Sequence, residues 1–186
     1  MAISHFTKLF GVSDAGIYVL SADPAGGSPT YGSKIDVPGV KSLQLSGTID
    51  TKELRGDHQL LDSESVLRNV TGTLNFAKAS LDLIAAAFGE SVTDAGSGST
   101  ETATVELMGD SAPAFFKIEA KAYSTDLVGG SANLTLYKCK PAGLPFAGLA
   151  EEDYQTIAFP FSTTPLISTN KWIGIVLNET AAALSS

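Results

Sequence analysis

The sequence predicts a mainly β domain, a β-sandwich or barrel-like fold with one α-helix packed on the outside. Three observations carry that expectation. Two stretches, Val40 to Asp50 and Asn69 to Phe76, alternate apolar and polar residues with period two. One segment, Leu81 to Phe88, has helical spacing with a cap at each end. Glycines and prolines break the remaining apolar runs into short lengths, as the turns of a β domain do. A chain of 186 residues has room for one domain with a substantial core and does not require two.

In chain order, Met1 to Ala15 is broken by Gly11 and reads as an arm, residues 1–15, that docks on something else. Gly16 to Ser21 is a first strand, and the Pro- and Gly-rich stretch from Asp23 to Gly32 is a loop. An extended stretch begins near Lys34, pauses at Pro38-Gly39 and continues to Asp50. Along it Leu43, Leu45, Gly47 and Ile49 share one face, and Gln44, Ser46, Thr48 and Asp50 share the other. Val70, Gly72, Leu74 and Phe76 alternate in the same way with Thr71, Thr73 and Asn75. Two such strands, similar and consecutive, are expected to pair antiparallel. Between them residues 51–65 show no consistent period, with charged residues mixed among Leu54, Leu60 and Leu61. This is expected to be a long loop that meets a protein surface rather than water.

The helix follows directly. Ser80 is placed to accept a bond from a free amide of the first turn, Asp82 suits the positive end of the helix dipole, and Gly89 can close the helix in the left-handed conformation. Leu81, Ile84 and Phe88 form its apolar stripe. Their burial is worth roughly 1.5–3 kcal/mol each, more than propensity gives so short a helix, so it needs a sheet to lie on. Ser91 to Thr100 then reads as a connection. Glu101 to Leu107, Phe115 to Tyr123 and Ala132 to Lys140 read as a three-stranded meander, turning at Gly129-Gly130. Tyr154 to Phe161 contains Pro160 and so belongs at an edge or bulge. Lys171 to Leu177 is the last strand, and residues 178–186 are an alanine-rich tail.

Composition narrows the function. Twelve Lys and Arg against twenty Asp and Glu give a net charge of −8, the wrong balance for gripping phosphates. Basic patches interleaved with aromatics, which nucleic-acid binding needs, are missing. Cys139 is the only cysteine, which leaves no intrachain disulfide and no thiolate zinc site. No run approaches the ~20 apolar residues of a membrane span, and the first residues lack the apolar block of a signal peptide. The expectation is a protein made and kept in a cytosol.

Catalytic chemistry finds little purchase. The two histidines, His5 and His58, fall in the arm and in the charged loop. No GxSxG supplies a serine to His58 and Asp57, and Asp57, His58, Asp62 and Glu64 match no calcium-loop spacing. Gly96-Ser97-Gly98 lacks the strand-turn-helix setting of a nucleotide site. Arg55-Gly56-Asp57 spells an integrin-type tripeptide, which a turn and chance explain. The expectation is a chain that is not an enzyme and holds no cofactor or metal. What remains is assembly, because strands with an uncharged second face can join neighbours edge to edge. If the rotation between neighbours closes, they form a ring.

The order of parts from Val37 to Gly89 resembles the major tail tube proteins of long-tailed, non-contractile (siphovirus-type) bacteriophages. Extended VPGVKSLQLSGTID is followed by charged TKELRGDHQLLDSES, then by NVTGTLNFA and a capped helix ending at Phe88-Gly89. Residues 140–161, KPAGLPFAGLAEEDYQTIAFPF, leading to KWIGIV, look like the family's closing strands.

The resemblance implies hexameric rings stacked into a tube that conveys the genome to the host. Its partners would be copies of itself and other tail proteins at the tube ends. DNA would pass through the lumen without specific binding, and the protein would reside in the virion tail after assembly in the host cytoplasm. On that basis Gln44, Ser46, Thr48, Asp50, Thr71, Thr73 and Asn75 are expected to face the lumen, with Leu43, Leu45, Ile49, Val70, Leu74 and Phe76 toward the core. Ring stacking is expected to fall to Lys52, Glu53, Leu54, Arg55, Asp57, His58, Leu60, Leu61, Asp62 and Glu64. A rival of another class is a β-sandwich binding module for a carbohydrate or receptor, on a tail tip or as a capsid decoration, although such sites usually display aromatics on a platform.

Overall fold

Period-two alternation becomes strand where one face of it can be buried, and a computed structural model shows eleven strands and one α-helix among the described residues. It describes residues 8–57, 59–126, 130–145, 156–180 and 182–184. In chain order the elements are β1 (Leu9–Ala22), β2 (Thr30–Tyr31), β3 (Ile35–Asp36), β4 (Val40–Gly56), β5 (Gln59–Phe76), α1 (Leu81–Phe88), β6 (Thr93–Ala95), β7 (Thr102–Thr104), β8 (Phe116–Ser124), β9 (Ser131–Pro141), β10 (Ile157–Thr163) and β11 (Ile173–Asn178).

The main sheet is antiparallel and runs β2-β1-β8-β9-β10-β5-β4, with β3 beside β1 and β11 beside β9. Gly16 opposes Asp36 in the β1–β3 pair, and the Val37 amide donates to the Ala15 carbonyl. The chain leaves β3 past Pro38-Gly39 and becomes β4, the strand at the far end of the path. That end is therefore tied back to β1, and the sheet curls in the manner of a barrel.

Inside the curl lies one apolar cluster that includes Ala15, Ile17, Leu74, Phe76, Phe116, Ile118, Phe159 and Phe161. The rings of Phe116 and Phe159 sit 5.7 Å apart in a tilted pair. The helix closes this core. Ser80 Oγ accepts from the Leu83 amide, Asp82 lies in the first turn, and Gly89 ends the helix at φ 74°. The expected stripe is rotated, however. Leu83 and Ala87 enter the core, Ile84 and Ala85 are also buried, and Leu81 and Phe88 are only half-buried.

Several boundaries differ from the sequence reading. The expected 1–15 arm gives way at Leu9, where β1 already begins; Met1 to Thr7 lie outside the described residues. Bulges between Phe10 and Val12 and between Val12 and Asp14 hide the alternation there, the first with Gly11 at φ 63°. Glu101 to Leu107 does not join a meander. Only Thr102–Thr104 is strand, and it pairs with β6 in a separate two-stranded ribbon that follows the helix. The hairpin of β8 and β9 is present, and residues 127–129 of its turn are outside the described residues. Pro160 is tolerated in β10 because its carbonyl accepts from Ala142, so its missing N–H points toward β9 just where that pairing ends.

Residues 178–186 are partly anchored. Asn178 ends β11, the Ala182 amide donates to Ser131 Oγ, and Leu184 is buried.

Candidate functional site

The expected 51–65 loop is not a loop. β4 and β5 stay paired from Val40↔Phe76 out to Gly56↔Gln59, making one long hairpin that carries most of the predicted site. Arg68 and Leu61 are bulged out of β5 between Thr48/Ile49 and Leu54/Arg55, and because neither face of residues 51–65 is buried, no apolar row is set on either strand. Each bulge shifts the phase of β5 by one residue, while β4 keeps its alternation. The turn is tight, with Asp57 in the left-handed region at φ 49°; His58 lies outside the described residues.

The near half of the hairpin rests on the body. Val70, Leu74 and Phe76 are buried, and Leu43 packs against the core from β4. On the opposite face Gln44 stands across from Thr73 and Ser46 across from Thr71. Thr48 faces Asn69, and the Asn75 amide donates to Ser42 Oγ at 2.9 Å. β10 extends this face, setting Pro160 beside Thr73 and Ser162 beside Thr71, and Lys140 on β9, opposite Ser162, puts a cation at its border. Six of the seven residues expected at the lumen thus share one half-open or exposed surface, turned away from the core that receives α1. The seventh, Asp50, lies on the same face farther out, 3.3 Å from Arg68.

The far half leaves the body. β10 pairs with β5 only as far as Val70, so among the described residues β5 from Gln59 to Asn69 has a free edge, and β4 is free along its other edge. Neither face is covered. Leu45 and Ile49, expected in the core, are exposed: Leu45 lies over Gly72 from the end strand β4, and Ile49 lies beyond Val70, where the core stops; Ile49 is 65% exposed and Leu54 61%. Leu60, Leu61, Val66 and Leu67 are exposed as well.

The residues expected to stack rings are therefore on strands, in two rows. Lys52, Leu54, Asp62 and Glu64 continue the row of Asp50. Glu53 and Arg55 continue the row of Ile49, joined by Leu60, which opposes Arg55. Contacts agree with these rows: Arg55 reaches Glu53 at 2.6 Å, and Thr51 Oγ1 lies 2.9 Å from Ser65 Oγ. Leu61 is the bulged residue and Asp57 sits in the turn.

A second polar cluster, on the outer face of β8 and β9, escaped the sequence reading. Lys117 and Lys138 are each only 8% exposed. The Lys117 ammonium bonds Glu119 at 2.7 Å and lies 3.9 Å from the centre of the Tyr18 ring, with Tyr31 beyond. Lys138 bonds Asp23 at 2.7 Å, and the Ile167 and Ser168 amides donate to the same carboxylate. Burial pushes the Asp23 carboxyl up, but Lys138 and those amides outweigh it and hold the group well below the usual carboxylate range. Burial, aided by the Asp23 charge, pushes the Tyr31 phenol well above its ordinary value. In sequence, Lys117, Glu119 and Lys121 look like a solvated strand face; nothing in that pattern announces that the loop from Asp23 to Lys34 covers it.

A cleft of about 800 Å³, open to solvent, lies between α1 and β3 and is lined by Lys34, Asp36, Asp82, Glu90 and Asp94 among others. Among the described residues no three His, Cys, Asp or Glu side chains come together to hold a metal ion, and no helix is long and apolar enough to cross a membrane. Cys139 is fully buried, and burial pushes its thiol well above the ordinary range.

No protein-family model matches the chain, and no curated protein matches it.

Proposed function

We propose that this chain is a structural subunit of a phage tail tube, polymerising into stacked hexameric rings through which DNA passes into the host. The observation that carries the reading is the long hairpin. Its far half exposes apolar side chains on both faces and has two free edges, an arrangement suited to strand-to-strand contact with other chains. Its near half supplies the second requirement, an uncharged hydroxyl and amide surface backed by a rigid core.

The electrostatics of a conduit favour such a surface. Duplex DNA carries about one negative charge per 1.7 Å of axis, and each cation that touches it gains affinity by releasing counterions. A wall of arginines would hold the polymer; a wall of Ser, Thr, Asn and Gln lets it slide. The subunit needs no catalytic residue, cofactor or metal for this task. Its partners are its own copies and, at the ends of the tube, other tail proteins, and its place is the virion tail.

Negative-stain microscopy of concentrated purified protein tests the reading. Tubes of uniform bore are expected from the full chain. Replacing residues 50–66 by Asn-Gly is expected to leave a folded body that forms none. Discrete monomers retained on a glycan column would instead favour the carbohydrate- or receptor-binding module, for which the exposed cross-strand pair Phe10 and Tyr123 is the available aromatic platform. If tubes form, Thr71→Arg with Thr73→Arg is expected to preserve them and slow DNA delivery. Unchanged ejection kinetics would remove these positions from the channel wall.

A further inference from the structure

We infer that the far half of the hairpin docks through one face only, the row of Ile49, Thr51, Ser65 and Leu67, and that its occupant is a second copy of this chain. The inference rests on the tube reading and adds which side of the hairpin makes the contact.

The two faces differ in what burial would cost. The Ile49–Leu67 face continues the core-facing row of Val70 and Leu74 beyond the body. Its charges are already matched within the chain, Arg55 with Glu53, and Thr51 pairs with Ser65. A neighbour can therefore cover it without stranding a charge. The opposite face carries Lys52, Asp62 and Glu64, none in an ion pair among the described residues, besides the Asp50–Arg68 pair. Lys52 and Glu64 oppose each other across the ladder, but Asp62 faces Leu54, so drying this face would leave one carboxylate uncompensated, a heavy penalty.

Area selects the occupant. From Ile49 to Gly56 the strand extends roughly 27 Å, and two strands are about 10 Å wide, so one face offers on the order of 270 Å². Stable pairs bury about 800 Å² per partner. One such contact is too small to hold any partner by itself. In a closed ring or stack of copies each subunit gives one hairpin and receives another, and the contacts add. The surface met on the second copy is required only to be uncharged and apolar, as the exposed Leu45 and Ile175 are.

The test compares Ile49→Lys and Leu67→Lys with Leu54→Lys and Val66→Lys in the full chain. All four positions are exposed, so circular dichroism and melting temperature are expected to match wild type and to exclude misfolding. Sedimentation and light scattering against concentration then read assembly. Ile49→Lys and Leu67→Lys are expected to raise the polymerisation threshold by about tenfold or more, and Leu54→Lys and Val66→Lys by less than about threefold.

Wild-type tubes that tolerate Leu67→Lys, or that fail equally with Val66→Lys, overturn the inference and leave the tube reading standing. Wild-type closed oligomers that are not tubes, yet dissolve in Leu67→Lys, support the inference and overturn the tube. A wild-type chain that stays monomeric at every concentration overturns both.

Discussion

The near and far halves of the β4–β5 hairpin share one ladder and one pair of strands. They differ in what lies behind them. Rows 42–48 of β4 sit on Leu74, Phe76 and Phe161, whereas rows 49–56 sit on nothing. A two-stranded ribbon alone is marginally stable in water. The body thus holds the near half, and the far half persists as an extension of a register set elsewhere. Intrachain stability resides in the near half, and capacity for association in the far half.

The sharpest way to break this comparison is a pair of truncations. Leu74 is fully buried among aromatics, and Leu74→Ala is expected to cost about 2–5 kcal/mol in denaturant unfolding. Leu54 is exposed, and Leu54→Ala is expected to stay within about 0.5 kcal/mol. Comparable losses at the two sites would mean that the far half is packed in the isolated molecule.

The same contrast explains what was legible beforehand. Strands were readable where alternation ran unbroken over a buried face, as from Val70 to Phe76, and the helix was readable because Ser80 and Gly89 bracket it chemically. The hairpin's far half was unreadable because neither face of residues 51–65 is buried, so no apolar row repeats, and the bulge at Leu61 slips the phase within it. Leu45 and Ile49 share the core-facing row, but periodicity reports which face a residue shares, not whether its strand ends the sheet, as for Leu45, or how far the core extends along it, as for Ile49. The buried pairs Lys138–Asp23 and Lys117–Glu119 join residues 115 apart and two apart respectively. The first is beyond any local pattern. The second spacing is also that of ordinary solvated strand charges.

A smaller effect sharpens the comparison through glycines. At Gly72 an added Cβ would lie 2.5 Å from Phe161 Cζ and 2.6 Å from the Gln44 carbonyl oxygen, so the ring and a neighbouring backbone must both move. Gly72→Ala is expected to cost about 1–3 kcal/mol by overpacking. At Gly47, where the halves meet, the nearest atom is Leu67 Cδ1 at 3.5 Å, an ordinary contact. Gly47→Ala is expected to be neutral or slightly stabilising, by up to about 0.5 kcal/mol, because the unfolded chain loses freedom. A loss at Gly47 as large as that at Gly72 would extend the packed region one row farther out.

The smallest expected effect lies at the first bulge. Arg68 is set out of the ladder and bonds Asp50 at 3.3 Å, with both side chains about half exposed. Exposed pairs of this kind contribute 0 to about 1 kcal/mol and weaken with salt. Arg68→Ala is therefore expected to change unfolding by less than about 0.5 kcal/mol and to remove little of the salt dependence. The bulge itself belongs to the backbone, which alanine retains. Hydrogen exchange separates the two contributions: amides of rows 49–56 should exchange faster than those of rows 42–48 in the wild type and equally so in Arg68→Ala. If the far rows lose further protection in the variant, the ion pair pins the hinge between the halves, and the far half owes its geometry to a side chain as well as to its register.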